Sequence, residues 1–464
     1  MTAELLAPAM LCALVAVLLV GFPVAFSLAA VAGVFGALGV SSGAFPPTFL
    51  TAMYFRVLGM FNNENLLAIP LLVLMGLILE RTGIAEDMLL ALNRLFRRLP
   101  GGLAYAVVIV GTVLSPIVGF VSASVIALGL IALPVMIRAG YDSRLATGVV
   151  AASGTLAQVV PPSLVLIVLA EQLEVSLIDI YRGALLPSVA LVALYMLYIF
   201  ALTTWKPLLA PPVLDSGWIG KADWRSRLRL FLDGALPIGL VVCVLASVAF
   251  GIATPSEAGA IGVTAALTLA WAKRRLKLAG MKQALVAAGV LCSGVVFLLI
   301  GASFFTLVFR GLNGHLMIEA LFQHIPAGQI GFVLAVNAAV FGLAFFLDFF
   351  EIAFIVLPLI APIAHTAGVD VVWLAVLLAI NLQTSFMHPP FGIALYNLRS
   401  VTPASIKTLS IYWGAVPFVL IQALTVVLLI LFPALVLRNV TPPPSGRELQ
   451  IDLPPLMLPD PVLR

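Results

Sequence analysis

The chain is a succession of uninterrupted apolar runs, near 5–40, 65–82, 102–118, 121–137, 145–160, 163–172, 184–204, 231–252, 257–273, 284–309, 329–347, 349–364, 371–387 and 411–436. Charged residues are confined to the short intervals between them. A helical bilayer crossing needs about 20 mostly apolar residues. Lipid offers the backbone no hydrogen-bond partner, so such runs fold as helices or as a closed barrel. Barrel strands alternate apolar and polar positions, and these runs do not alternate. The expected fold is therefore all-α: a polytopic transmembrane helical protein embedded in a lipid bilayer. Composition agrees, with 9% charged residues where a soluble domain carries roughly 25%.

Several runs are too short to cross alone. Those at 102–118 and 121–137 abut, as do those at 329–347 and 349–364. Adjacent apolar runs with a tight polar break predict re-entrant hairpins, which survive in a membrane only when buried in protein or lining a cavity. Intervals 85–98, 273–283 and 316–324 are amphipathic and are expected to lie flat at the interface. The run at 5–40 predicts one helix bent near Gly21 and Pro23, or two in tandem.

The two halves repeat. IALPVMIRAGYDSRLATGVVAASGTLAQVVPP (131–162) aligns without a gap on LIAPIAHTAGVDVVWLAVLLAINLQTSFMHPP (359–390). Pro134 meets Pro362, Ala139-Gly140 meets Ala367-Gly368, Asp142 meets Asp370, and Pro161-Pro162 meets Pro389-Pro390. Apolar bias does not create matched prolines, glycines and aspartates, so a duplication is expected. Pro23 and Pro255 read as a further matched pair. The expected organisation is a first membrane repeat over 1–205, a polar connector over 206–230, a second repeat over 231–436 and a Pro-rich tail over 437–464. Internal repeats with helices interrupted at matching positions point to a secondary transporter and to its binding site.

Each Pro-Pro pair predicts a broken helix, because proline lacks an N–H and clashes with the carbonyl four residues earlier. The breaks free the carbonyls of Ala157 and Gln158, and of Ser385 and Phe386. Upstream stand Ser153, Gly154 and Thr155 in one half, and Asn381, Gln383, Thr384 and Ser385 in the other. Carbonyl, hydroxyl and amide oxygens together suit a small hard cation. The hairpin tips add Ser115-Pro116 with Ser122 and Ser124 in the first half, and Asp348 with Glu351 in the second. Carboxylates inside an apolar run are costly and by default serve a cavity. Coupling-ion coordination, gating and proton transfer are all open for them.

Thr254 and Glu257 predict a capping box ahead of the helix that Pro255 opens. Arg310 ends a span, where it can snorkel or meet a substrate carboxylate. Cys12, Cys243 and Cys292 lie singly in apolar runs and read as small buried residues. A net charge of +4 makes nucleic acid an unexpected partner. No G-x-x-x-x-G-K-[ST], H-E-x-x-H or G-x-S-x-G occurs, so neither ATP hydrolysis nor another enzymatic activity is expected.

Five stretches carry a family resemblance: LLAIPLLVLMGLILERTGIAEDML (66–89), GTLAQVVPPS (154–163), GIATPSEAGAIGV (251–263), LDFFEIAFIVLPLIAPI (347–363) and NLQTSFMHPPFGIALYNLR (381–399). The chain resembles the large, DctM-type membrane subunit of tripartite ATP-independent periplasmic (TRAP) transporters. The resemblance implies inverted repeats, each with a hairpin and a broken helix, and an elevator mechanism. It implies Na⁺-driven import of an organic acid (a dicarboxylate, 2-oxo acid or aromatic acid) across the bacterial inner membrane. Na⁺ is the coupling ion and no cofactor is expected. The implied partners are a small four-helix membrane subunit, expected as a separate chain, and a periplasmic substrate-binding protein. Carried onto this sequence, the Na⁺ candidates are Ser122, Ser124, Ser153, Gly154, Thr155, Ala157, Asp348, Asn381, Thr384 and Ser385. Candidates for substrate contact or gating are Glu351, Glu257, Pro161, Pro162, Pro389 and Pro390. The paired acids of the second hairpin depart from the single acid of many relatives. The alternative is an ion-coupled anion symporter that needs no partner chains.

Overall fold

The computed structural model describes residues 3–96, 99–118, 121–212, 224–323, 328–347, 349–389 and 392–440. Helices follow one another with no strand among the described residues. The first half holds α1 (Ala3–Val20), α2 (Val24–Ser41), α3 (Ala52–Phe61), α4 (Glu64–Arg81), α5 (Ile84–Phe96), α6 (Gly102–Val118), α7 (Val121–Arg138), α8 (Ser143–Thr155), α9 (Leu164–Gln172) and α10 (Leu177–Trp205). The second half holds α11 (Trp224–Ala249), α12 (Pro255–Ala272), α13 (Leu278–Gly311), α14 (Gly314–Gln323), α15 (Gly328–Leu343), α16 (Phe349–Ile355), α17 (Leu357–Thr366), α18 (Val371–Ser385), α19 (Ile393–Val401), α20 (Thr408–Leu431) and α21 (Ala434–Leu437). Among the described residues, six helices are long and apolar enough to cross a membrane, or eight if each bent pair is one span. The chain is a multi-pass membrane protein.

The spacing of 228 between Asp142 and Asp370 holds along the chain. It sets α8 on α18, α9 on α19, α10 on α20 and α7 on the α16–α17 pair. The two halves nevertheless run in opposite directions. The start of α8 meets the end of α10, since the Asp142 amide donates to the Leu209 carbonyl at 2.9 Å. The start of α18 instead meets the end of α20, since Trp373 Nε1 donates to the Leu429 carbonyl at 2.9 Å. At that second end Gly183 of α10 also packs on Val372 and Val436. The same local sequence therefore starts a broken helix from each face. Asp142 and Asp370 both cap their helices, accepting from backbone amides two to three residues on. Gly140 and Gly368 precede them with φ of +82° and +69°, a conformation that L side chains rarely adopt.

The run at 5–40 is the tandem pair α1 and α2, and the second half has the same break between α11 and α12. The halves differ in two places. The interval 273–283 forms no helix of its own, because its second part is absorbed into α13, a helix of 34 residues. At 1.5 Å per residue it is about 50 Å long, beyond the ~30 Å hydrocarbon core. In the first half the matching stretch is split at Asn62-Asn63 into α3 and α4. The Pro23–Pro255 match is four positions out of register: Pro23 precedes α2, whereas Pro255 is the first residue of α12.

Packing sorts the helices into two groups. Helices α1, α2, α4, α11, α12 and α13 pack on one another as a scaffold. Helices α6–α10 and α15–α20 form the second group, with α8 and α18 at its centre. There the backbones meet directly: a Cβ on Gly148 of α8 would overlap the Gly414 carbonyl of α20. Small residues permit such close approach between membrane helices, where dispersion rather than water exclusion drives packing. Helix α5 bridges the groups and is tied to the scaffold by ions. Lys273 Nζ lies 3.0 Å from Asp87 and 2.7 Å from Asp233, and Arg275 lies 3.1 Å from Asp87. Cys12 and Cys243 are exposed on the outer surface and Cys292 is partly so. The expected burial is thus not found for Cys12 and Cys243.

Candidate functional site

The first break follows from local chemistry. Helix α8 gives way after Thr155 to a 3₁₀ turn over Leu156–Gln158, and α9 resumes after Ser163, whose Oγ accepts from the Val165 amide. Both arms of the first hairpin grip it. A Cβ on Gly111 of α6 would lie 2.6 Å from Ser153 Cβ and 2.7 Å from the Ser153 carbonyl oxygen. A Cβ on Gly154 would lie 3.0 Å from the Val125 Cα of α7. Ser124, one residue before Val125, is buried, and its Oγ has no hydrogen-bond partner among the described residues. Ser122 is half-buried on the same helix, and Ala157 is buried in the turn. Thr155 donates its hydroxyl to the Ala152 carbonyl at 2.8 Å and accepts from Gln383 on one lone pair, which leaves the other for a cation. Ser124, Ser153, Gly154 and Thr155 thus converge. One expectation needs correction: the Gln158 carbonyl is not free, because Ser163 Oγ donates to it at 2.8 Å. Pro161 and Pro162 are buried or nearly so between the half-helices.

The second break lies at the end of α18. Thr384 and Ser385 donate to the carbonyls of Asn381 and Leu382, each at 2.6 Å. Asn381 Nδ2 donates to the backbone carbonyl of Asn337 at 2.8 Å and to its side-chain oxygen at 3.1 Å, fastening the break to α15. Stranding such a buried amide costs about 1–3 kcal/mol, so Asn337 is as necessary as Asn381. The Phe386 carbonyl, expected free, accepts from the Ala394 amide at 3.0 Å. His388 is buried between Phe341 and Phe345, with ring centroids 4.7 and 4.5 Å away. Pro389 is exposed. Asp348 and Pro390 lie outside the described residues, as do the side chains of Ser115 and Pro116.

Glu351 is not placed with these oxygens. It opens α16 and lines a cavity of about 600 Å³ with Gly21, Phe22 and Pro23 of the scaffold, at the joint between α1 and α2. Glu257 is exposed and its carboxylate accepts from the Thr254 amide at 2.8 Å, completing the expected cap. The structure does not bring it to either break.

The two breaks touch. Gln383 Nε2 donates to Thr155 Oγ1 at 3.1 Å. These residues are 228 apart, so they are equivalent positions meeting on the pseudo-twofold axis. Met387 Sδ lies 3.8 Å from Thr155 Oγ1, whose proton is held by the Ala152 carbonyl, and accepts from Gln422 Nε2 at 3.7 Å, while Gln422 also donates to Tyr195 OH at 2.8 Å. Asn337, Gln422 and Tyr195 escaped the sequence reading, since nothing local marks a polar residue in an apolar helix as facing a break. The register could have singled out Gln383 as the mate of Thr155. Among the described residues no three His, Cys, Asp or Glu side chains gather around a point. Among the described residues the donors at both breaks are neutral oxygens, which fit a hard cation better than a transition metal.

Residues 11–435 match the family model described as "Tripartite ATP-independent periplasmic transporter, DctM component". The chain belongs to this family. It is 27% identical over 403 residues to the C4-dicarboxylate TRAP transporter large permease protein DctM of Pseudomonas aeruginosa, covering 87% of this chain and 92% of the relative. It is 25% identical over 442 residues to the ectoine TRAP transporter large permease protein TeaC of Halomonas elongata, covering 93% and 98%. It is also 25% identical over 400 residues to the isethionate TRAP transporter permease protein DctMQ of Oleidesulfovibrio alaskensis, covering 85% of this chain and 60% of that longer relative. Among solved structures, the YdaH transporter of Alcanivorax borkumensis shares the fold, with a TM-score of 0.64, 15% identity, and 95% and 100% of the two chains covered. This DctM-family chain thus has the architecture that the duplicated sequence implied.

Proposed function

We propose that this DctM-family chain is the large permease subunit of a Na⁺-coupled TRAP importer of an organic acid in the bacterial inner membrane. The observation that carries the reading is the pair of in-register breaks, each lined by neutral oxygens and gripped by a hairpin, and joined through Thr155 and Gln383. A pair of unwound segments at mid-membrane is how secondary transporters hold their coupling ions. Ser124, Ser153, Gly154 and Thr155 serve the first ion, and Asn381, Thr384 and Ser385 the second. The division into a scaffold and a second helical group supports elevator-type movement of the latter. A small four-helix subunit and a periplasmic binding protein complete the system, with the binding protein delivering the substrate. The relatives are named for substrates as different as C4-dicarboxylates, ectoine and isethionate, so the class proposed is a small organic acid.

Charge sets the orientation. Arg81, Arg94, Arg138, Arg144, Lys206, Lys273–Lys277, Arg399 and Lys407 all fall at the end where α8 begins. The opposite end carries Glu171, Glu174, Asp179, Glu257 and Glu319 beside Arg56, Arg182, Arg310 and Arg438. Lys and Arg collect in cytoplasmic loops, so the basic end faces the cytoplasm. The test is uptake of radiolabelled organic acids into proteoliposomes under an inward Na⁺ gradient, with and without the two partners. Thr155→Ala and Ser385→Ala should each raise the Na⁺ concentration for half-maximal uptake. Unchanged Na⁺ dependence in both refutes the ion assignment, and uptake without partners favours a self-sufficient symporter.

A further inference from the structure

A cavity of about 670 Å³ opens at the acidic end, between the scaffold and the second helical group. Arg56 of α3, which packs on the scaffold helix α13, and Arg310 of α13 line one side, with Ser303 and Thr306. Glu171 and Glu174, at and just beyond the end of α9, line the other. Both guanidiniums are half-buried, and each lies within electrostatic reach of the other. Among the described residues neither forms an ion pair. Two like charges brought together in a partly desolvated cleft repel; Glu174 offsets part of this at Arg56, and a further anion held between the guanidiniums would offset more. The duplication does not account for the pair. At the 228-residue spacing, Arg56 corresponds to Ala284 and Arg310 to Thr82, which line a cavity of about 730 Å³ at the other face whose cations come from other positions, Arg81, Arg274, Arg275 and Lys277. Across the cleft, Glu171 already accepts from Asn63 Nδ2 at 2.6 Å, a bond that ties α9 to the scaffold loop before α4.

We infer that Arg56 and Arg310 form a carboxylate-binding site at the extracytoplasmic mouth, where an organic acid is held before it reaches the breaks. The inference rests on the organic-acid reading above, but it assigns a separate site with its own residues. The guanidiniums bind the carboxylate, Ser303 and Thr306 offer hydroxyls beside it, and Glu171 and Glu174 face it with like charge. That repulsion keeps the anion from staying, so the site captures without trapping. The scaffold supplies the cations, so the site remains in place when the second group moves.

The test uses the full chain in detergent with succinate, 2-oxoglutarate and benzoate as probes, read by thermal melting without Na⁺. Millimolar concentrations of at least one probe should raise the melting temperature of the wild type, and Arg56→Gln/Arg310→Gln should abolish the shift while melting normally without probe. In proteoliposomes with the partners, the double variant should raise the substrate concentration for half-maximal uptake about 10-fold or more, as loss of charge-assisted contacts does, and leave its Na⁺ dependence unchanged. No stabilisation of the wild type by any probe, or equal stabilisation of the double variant, overturns the site. Wild-type uptake that ignores Na⁺ while the melting result stands overturns the transport reading and leaves the site intact.

Discussion

Replacing Gly154 by alanine tests whether the first hairpin and the first break work as one unit. The added methyl would overlap Val125 Cγ2 and lie 3.0 Å from Val125 Cα and 3.1 Å from its backbone nitrogen. Carbon atoms prefer about 3.5–4.0 Å, and two of the three neighbours are backbone, which cannot rotate away. Helix α7 must therefore back off by several tenths of an ångström, and Ser124 moves with it. Overpacking of this kind costs about 1–3 kcal/mol. If only the lower end of that range falls on ion affinity, half-maximal uptake needs about fivefold more Na⁺. Gly111→Ala should act in the same direction, since its methyl would meet Ser153 at 2.6 Å. Gly289→Ala is the control: its methyl meets nothing within 4 Å, and in a helix interior alanine gains about 0.5–1 kcal/mol. The assay is Na⁺ titration of uptake at fixed substrate, paired with thermal melting in detergent. Wild-type values for Gly154→Ala in both measurements would refute the reasoning.

Other perturbations separate architecture from transport. Lys273→Ala leaves Asp87 and Asp233 without their shared cation and should lower stability by about 1 kcal/mol, given partial exposure and screening. The loss should shrink in high salt, and a melting difference that does not depend on salt would count against an ionic tether. Asp142→Ala and Asp370→Ala each remove a helix cap and should cost about 1 kcal/mol apiece. Because the sites lie at opposite faces, the double variant should lose the sum, and strong non-additivity in denaturation would argue against independent caps.

Much of this molecule was legible in the sequence because its constraints are periodic or covalent. Paired prolines at matched positions, Pro161-Pro162 and Pro389-Pro390, located the breaks, whereas single prolines such as Pro70, Pro134, Pro187 and Pro417 stay inside continuous helices; Asp142 and Asp370 were legible as a matched pair but not as caps. The matched motif was enough to predict a duplication. What escaped depended on direction in space. Nothing in the run at 329–347 says that Asn337 faces Asn381, nor that Gln422 reaches Tyr195. The rescue of the Gln158 and Phe386 carbonyls was equally hidden, since the partners, Ser163 and the Ala394 amide, lie beyond the prolines that freed them. Glu351 stands at the hairpin tip where the sequence groups it, but that this tip faces the α1–α2 joint was hidden. Arg310 was read as a span end, and its mate Arg56 lies 254 positions away, across a contact that only the folded chain makes.

The bond from Gln383 to Thr155 has a thermodynamic corollary. Each partner sits in the last helical turn before its own break, so a displacement of one is felt by the other without any lever between them. If both breaks hold an ion, filling the first changes the affinity of the second, and by linkage the reverse holds by an equal factor. The pair would then fill as one event, and the Na⁺ dependence of uptake would be steeper than hyperbolic. Gln383→Leu removes the shared bond while leaving both hydroxyl sets in place, so it should flatten that curve toward independent filling. A Hill coefficient of one in the unaltered protein would show that the two halves, although touching, do not communicate.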